Sequence, residues 1–371
     1  MQIAAGGSHS CALLNTGGIT CWGSNDHGQV GDGTSGTTRP APVAVSGLNS
    51  DVLQVSGGGG HTCALLSAGS VKCWGPSSFV GNGISGVDQL SPVDVSGLSS
   101  GVTQIAGGDR HTCALLSTGG VKCWGANDYG QIGDGTSGTT RLTPVDVSGL
   151  TSGVAQITAG GNHTCALLST GGVLCWGYNF DGQIGDGTKG ATPYVGNRFS
   201  PVGVSGLTSG VLQVAAAYEH TCALLSTGGV KCWGANFYGQ LGDGTSAANR
   251  LTPVDVSGLT SGVTQIAAGM GRHSCALLSS GGVQCWGYNH AGQIGDGTSG
   301  YGVSVSKLAP VNVSNLSSGV TQITTGYSHT CARLNTGGVK CWGYNNFGQI
   351  GNGYSGGYYM SPITPVEVRG S

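Results

Sequence analysis

The chain has 371 residues and a formal net charge of −2, and only 8 % of it is Asp, Glu, Lys or Arg against a usual ~25 %. Its Lys and Arg residues form no run, which excludes an electrostatic footprint for nucleic acid, and no apolar stretch reaches the ~20 residues of a membrane-spanning helix. Glycine supplies 74 residues without a three-residue period, so the chain is turn-rich rather than collagen-like, and its regular apolar pattern argues against disorder.

The first element, Gln2-Ile3-Ala4-Ala5, reads as a strand. It leads to two cysteines ten positions apart, followed by Trp22-Gly23. That unit recurs through the chain as Cys11/Cys21, Cys63/Cys73, Cys113/Cys123, Cys165/Cys175, Cys222/Cys232, Cys275/Cys285 and Cys331/Cys341, with first cysteines 50 to 57 residues apart. In the third copy, His111-Thr112-Cys113-Ala114-Leu115-Leu116 and Val121-Lys122-Cys123-Trp124-Gly125 flank Ser117-Thr118-Gly119-Gly120. Two short strands around a three-residue loop, with glycine at the left-handed third position, fit this pattern. Counting outward, each cysteine faces its partner in a non-hydrogen-bonded pair, the closer type. The spacing predicts one disulfide per hairpin. Buried thiols are the alternative. Metal is disfavoured, because no CxxC occurs and a histidine such as His111 lies on the same extended strand as Cys113, where the two cannot easily share an ion.

The rest of the third repeat runs Asn127 to Gly135, a turn segment, then a variable stretch and the strand Pro144-Val145-Asp146-Val147. Ser148-Gly149-Leu150 turns the chain into Val154-Ala155-Gln156-Ile157, the strand before the next hairpin. Four short strands in about 52 residues predict a propeller blade. Cys-Ala-Leu-Leu is apolar without alternation, as expected where blades bury both sheet faces.

The pattern His-Thr-x-Ala-Leu … Gly-x-Val-x-x-Trp-Gly-x-Asn-x-x-Gly-Gln-[Ile/Leu]-Gly resembles the regulator-of-chromosome-condensation repeat family over essentially the whole chain. The resemblance implies a single seven-bladed β-propeller over residues 1–368, built of four-stranded antiparallel blades. The cysteine-bearing version resembles copies in extracellular bacterial proteins, which implies a secreted or cell-surface protein. In photochemically active members a tryptophan stands two residues before the repeat histidine. Here those positions hold Gly7, Gly59, Asp109, Gly161, Tyr218, Gly271 and Tyr327, so that photochemistry is not expected.

Two rings of repeated polar residues invite functional readings. His9, His61, His111, His163, His220, His273 and His329 are read as blade-stabilising hydrogen bonders, since catalysis needs one special constellation. Asp32, Asn82, Asp134, Asp186, Asp243, Asp296 and Asn352 are read as turn residues, because Gly-Asp-Gly-Thr offers a single carboxylate and no calcium loop. No catalytic, cofactor or metal site is predicted.

Departures from the repeat carry the functional reading. The stretch after Gly-Asp-Gly-Thr varies most, and its insertions bear Tyr194, Phe199, Tyr301, Tyr354, Tyr358, Tyr359 and Met360. The first six are the predicted partner-binding residues, clustered on one rim. A second variable pair, inside Asn-x-x-Gly, holds His27, Tyr129, Phe180, Phe237, Tyr238, His290 and Phe347. Aromatics on glycine-rich loops suit recognition, with packing against neighbouring blades as the alternative. The expected function is a secreted, monomeric, non-enzymatic module that binds a protein. A glycan-binding propeller and a structural spacer are the alternatives. Asn162-His163-Thr164, Asn312-Val313-Ser314 and Asn315-Leu316-Ser317 match glycosylation sequons.

Both ends read as trimmed, with no signal peptide and with residues 369–371 a tail ending in an appended Gly370-Ser371. The terminal strand Thr364-Pro365-Val366-Glu367-Val368 has no hairpin after it. It is expected to add to the sheet of residues 2–23 and so join the ends of the ring.

Overall fold

The computed structural model describes residues 1–300, 305–356 and 361–370. Seven four-stranded antiparallel sheets form the blades of a propeller, each with its strands in chain order from an inner strand to an outer one. The first blade is Gln2–Ala5, His9–Leu13, Ile19–Gly23 and Arg39–Ala44.

The hairpin in each blade follows from its glycine. Gly119 has φ +79°, the left-handed region open to glycine, at the third position of a Ser117-Thr118-Gly119 loop. The Leu116 N–H donates to the Gly120 carbonyl at 2.8 Å and closes that loop. Cys113 then faces Cys123, and the same register holds in the other hairpins. The predicted pairing is found in every blade. Cys11 is bonded to Cys21, Cys63 to Cys73, Cys113 to Cys123 and Cys165 to Cys175. Cys222 is bonded to Cys232, Cys275 to Cys285 and Cys331 to Cys341, which leaves no free thiol. Their Cα separations are 4.0–4.1 Å, the narrow pair type.

Core packing lies between blades. Cys113, Leu115 and Val121 of the third blade, with Ile132 from its long loop, pack against Ile157, Ala166 and Trp176 of the fourth. Each repeat tryptophan is buried and donates Nε1–H across the seam to a loop carbonyl of the preceding blade, as Trp74 does to Gln29 at 2.9 Å.

The expected closure is corrected. The terminal strand, Val366–Glu367, pairs with the seventh hairpin through Lys340↔Glu367 and Cys341↔Val366. It does not join the sheet of residues 2–23, whose outer edge is already occupied by Arg39–Ala44. Every blade is therefore made of contiguous chain, because an outer strand pairs after one local loop rather than after closing the whole ring. Val368 still serves the closure: it is buried with Ile3 and Trp22 of the first blade and Ile350 of the seventh. Arg369, read as part of a tail, donates its backbone N–H to Gly351 at 2.9 Å.

Candidate functional site: the upper face

In an antiparallel blade, the inner-to-second and third-to-outer connections emerge at one face. We call it the upper face. Three sets of side chains meet it, besides the acidic residues that cap its outer turns.

The first set is the histidine ring, which lies just beneath. His9 Nε2 is 2.8 Å from Thr62 Oγ1 of the next blade, and Thr62 donates to the Gln29 carbonyl at 2.7 Å. The hydroxyl's single proton is thereby used, so His9 is the donor and carries its proton on Nε2. The relation repeats around the circle to His329, which meets Ser10 at 2.9 Å. All seven rings are fully buried, and each Nδ1 lacks a donor among the described residues. Burial pushes His9 down to about 4 and the other six to about 3. These are neutral inter-blade struts.

The acidic ring caps turns. Asp134 accepts the Thr136 hydroxyl at 2.6 Å, the Thr136 N–H at 3.0 Å and Arg141 Nε at 2.7 Å. Burial raises its pKa, but these hydrogen bonds outweigh that and hold the carboxylate below its usual range. Blades one, four and five repeat the arrangement with Arg39, Arg198 and Arg250, and blade six uses Lys307.

The second set surrounds the axis, where the repeat symmetry breaks. Tyr327 of the seventh blade lies across Gly7 and Gly59 and donates its hydroxyl to Asp109 of the third. A Cβ on Gly7 would sit 2.4 Å from the Tyr327 ring, so the first blade needs glycine for this crossing. Burial raises the Asp109 carboxyl, while Tyr327 and Arg110 oppose the rise. Tyr218 packs edge-on against Tyr327 at 6.2 Å, and Arg272, ion-paired to Glu219 at 3.0 Å, lies over the rings of Tyr218 and Tyr238.

The third set is a band of aromatic rings on the long loops of blades three to seven. Tyr129 meets Tyr178 at 4.8 Å, and Tyr178 meets Phe180 at 6.3 Å. Farther round, Tyr238 meets Tyr288 at 4.3 Å, Tyr288 stacks on His290 at 4.7 Å, His290 meets Tyr344 at 6.2 Å and Tyr344 meets Phe347 at 6.2 Å. Burial, then the Asp181 charge, raises the Tyr178 phenol, which stays a neutral donor and acceptor at neutral pH.

The predicted partner residues are only partly brought together. Tyr194 is 73 % exposed and stacks on Tyr129 at 5.9 Å, joining the band. Phe199 is not in a loop: it lies on the outer strand Arg198–Gly203 and covers Gly130 of the preceding blade. Leu90, Leu251 and Leu308 cover the equivalent glycines elsewhere, so Phe199 packs blade on blade. Tyr354 is exposed in the seventh blade, three blades from Tyr194, and its backbone N–H bonds Asn352. Tyr301, Tyr358 and Tyr359 lie outside the described residues. The sequence reading missed Tyr178, Tyr288 and Tyr344. Their signal was available: the position after Trp-Gly varies, holding Ser24, Pro76, Ala126 and Ala235 in the other blades.

Comparison with known proteins agrees with the architecture. Residues 1–300 match the RCC1-like domain family, and residues 280–333 and 320–349 match the regulator of chromosome condensation (RCC1) repeat. The ultraviolet-B receptor UVR8 of Arabidopsis thaliana is 32 % identical over 376 residues, covering 99 % of this chain and 69 % of the receptor. The human probable E3 ubiquitin-protein ligase HERC6 is 34 % identical over 201 residues, which span 53 % of this chain but only 19 % of the ligase. Among solved structures, Prp20p of Saccharomyces cerevisiae superposes with a TM-score of 0.82 at 22 % identity, covering 97 % of this chain and 87 % of that one. Human WBSCR16 superposes with a TM-score of 0.79 at 24 % identity, covering 95 % and 93 %. With the family matching most of its length and a relative aligned end to end, the chain belongs to the RCC1-like propeller family.

Proposed function

We propose that the chain is a secreted, non-enzymatic, protein-binding propeller that recognises its partner through the aromatic-bearing loops of the upper face. The observation that carries this reading is the band of half-exposed rings spread over consecutive blades. Aromatic side chains offer large contact area at low entropic cost, the character of binding surfaces. The polar rings that could pass for active sites support the same view, since each histidine and each rim aspartate is committed to a structural partner. One structural neighbour is consistent with it: Prp20p, the yeast RCC1, is described with binding properties to Gsp1p and histones and is seen bound to Kap60. Seven hairpin disulfides support an oxidising compartment.

A glycan-binding propeller would repeat an aromatic pocket in most blades. At the band positions the first blade instead holds Ser24 and Asp26, with its one ring, His27, hydrogen-bonded to Asp88 at 2.8 Å, and the second, two residues shorter there, begins with Pro76. A protein partner needs no such repetition. The test replaces Tyr129, Tyr288 and Tyr344 together by alanine and compares partner capture from native medium with that of the parent chain. Loss of the captured protein with an unchanged unfolding midpoint is expected. Undiminished capture rejects the band as the binding surface, and retention on a glycan array alone transfers the assignment to carbohydrate.

A further inference from the structure

The third and fifth repeats are nearly one sequence. Residues 111–157 and 220–266 differ only at Asp128/Phe237, Ile132/Leu241, Gly138/Ala247, Thr139/Ala248, Thr140/Asn249 and Ala155/Thr264. Phe237, Ala247, Ala248 and Asn249 all line one cavity of about 430 Å³ between blades four and five. Differences without consequence would scatter over the exposed positions of a repeat. Four of these six converge on one place.

The backbone there bears the mark of a site. Ala247 has φ +72°, where the first and third repeats place Gly36 and Gly138 at +80° and +82°. A Cβ is retained in a conformation that disfavours one, as happens where function outweighs local ease.

The lining has a definite chemistry. Phe180 and Phe237 flank the cavity and are 37 % and 46 % exposed, whereas Asp181 is only 5 % exposed. Asp181 Oδ1 accepts the Asn249 amide Nδ2–H at 3.0 Å, and no described donor reaches its second oxygen. Asn249 Oδ1 is buried with no donor of its own. Burial, and then the charge of Glu219, raises the Asp181 carboxyl, and the Asn249 hydrogen bond and the charges of Arg272 and Lys189 offset that rise only in part. Two acceptors in a cavity also lined by two phenylalanines call for a planar cation with several N–H donors.

We infer that this cavity receives the guanidinium of an arginine on the protein partner, bonded by Asp181 and Asn249 Oδ1 and flanked by Phe180 and Phe237. The inference rests on the protein-binding reading and names the chemistry of its anchor. Guanidinium suits the site better than ammonium because its flat fork serves two acceptors and stacks on rings. A sugar would ask the site for several donors as well, and apart from Lys189 the lining side chains offer only the second Nδ2 hydrogen of Asn249, the first being spent on Asp181. The cavity continues the aromatic band, since Phe180 contacts Tyr178. Lys189 lines the same cavity, is exposed and makes none of the described ion pairs, so its charge opposes an incoming cation.

The probe is the capped tripeptide acetyl-Gly-Arg-Gly-amide, with its citrulline counterpart as the neutral isostere. Both are titrated into the intact protein at low salt and followed by calorimetry or NMR. Saturable millimolar binding of the arginine peptide, about tenfold tighter than citrulline, is expected. Asp181→Asn and Phe237→Leu should each weaken it by about tenfold, with unchanged unfolding midpoints. Lys189→Ala should strengthen it by roughly twofold to threefold. No saturable binding, equal binding of citrulline, or indifference to Asp181→Asn overturns the inference. Weakening by Lys189→Ala also overturns it, and would indicate an anionic ligand. If the peptide fails while capture still depends on Tyr129 and Tyr288, only the cavity assignment falls. If the peptide binds while capture ignores those tyrosines, only the band falls.

Discussion

Gln322 grips Ile3 with both ends of its amide: the Ile3 N–H donates to Gln322 Oε1 at 2.9 Å, and Gln322 Nε2 donates to the Ile3 carbonyl at 3.0 Å. The same clasp joins Gln54 to Ile105, Gln104 to Ile157 and Gln213 to Ile266 between inner strands. Six of the seven seams are also tethered by the chain, but the seam of Gln322 and Ile3 joins the last blade to the first without a covalent link. Each clasp contributes on the order of 1–3 kcal/mol. Gln322→Ala should therefore lower the cooperativity of denaturant unfolding more than Gln104→Ala does, and expose the terminal blades to protease. Indistinguishable unfolding slopes for the two variants would show that the clasp has no special part in closure.

The terminal strand gives a second prediction. Removing residues 366–371 strips the outer edge from the seventh hairpin and takes Val368 out of the core shared with Ile3 and Trp22. An unpaired edge beside an opened seam should promote self-association. Light scattering and limited proteolysis are expected to show aggregation and cleavage within the first and seventh blades. A monodisperse, protease-resistant truncated chain would contradict this.

Acid should unfold the protein through its histidine ring. An unfolded histidine titrates near 6.5, and the seven buried ones titrate at about 3 to 4. Between those values the unfolded chain binds more protons, so stability is full above pH 6.5 and is lost as pH falls towards 3. Each histidine contributes a slope of up to about 1.4 kcal/mol per pH unit. Denaturant midpoints measured from pH 7 to pH 4 should fall steeply, and His111→Gln should make the fall shallower by about one proton. A flat profile over that range would refute the struts as neutral buried groups.

The hairpin disulfides are buried, with every cysteine at most 1 % exposed. Thiol reagents should find no free thiol in the native protein, and peptide mapping should return only linkages within a repeat, such as Cys11 with Cys21 and Cys275 with Cys285. An eleven-residue loop contributes at most about 3 kcal/mol in the chain-entropy view, and less where the turn already restricts the chain. Replacing Cys113 and Cys123 by alanine should lower stability within that bound. A larger loss would show that the sulfurs' packing in the inter-blade core, beside Trp176, outweighs the chain-entropy effect.

The fold was legible because its information is local and repeated. A glycine at Gly119, cysteines ten apart and an unalternating Cys-Ala-Leu-Leu determine a hairpin buried on both faces, and seven copies of that hairpin can only stack. The histidine and aspartate rings were legible for the same reason, since a residue present in every blade answers a need of every blade. What the tertiary structure alone decided lies between repeats. Val366 pairs within its own blade, because the edge of the first blade is occupied by a strand already formed locally. Phe199, though 38 % exposed, packs over Gly130 rather than standing on a free loop, because a residue on an outer strand meets the loop of the blade before it. Tyr327 reaches Asp109 across two blades, and Asp181 shares a cavity with Phe237 and Asn249 of the next repeat. Contacts of that kind depend on how the ring brings distant loops together, which no spacing along the chain records.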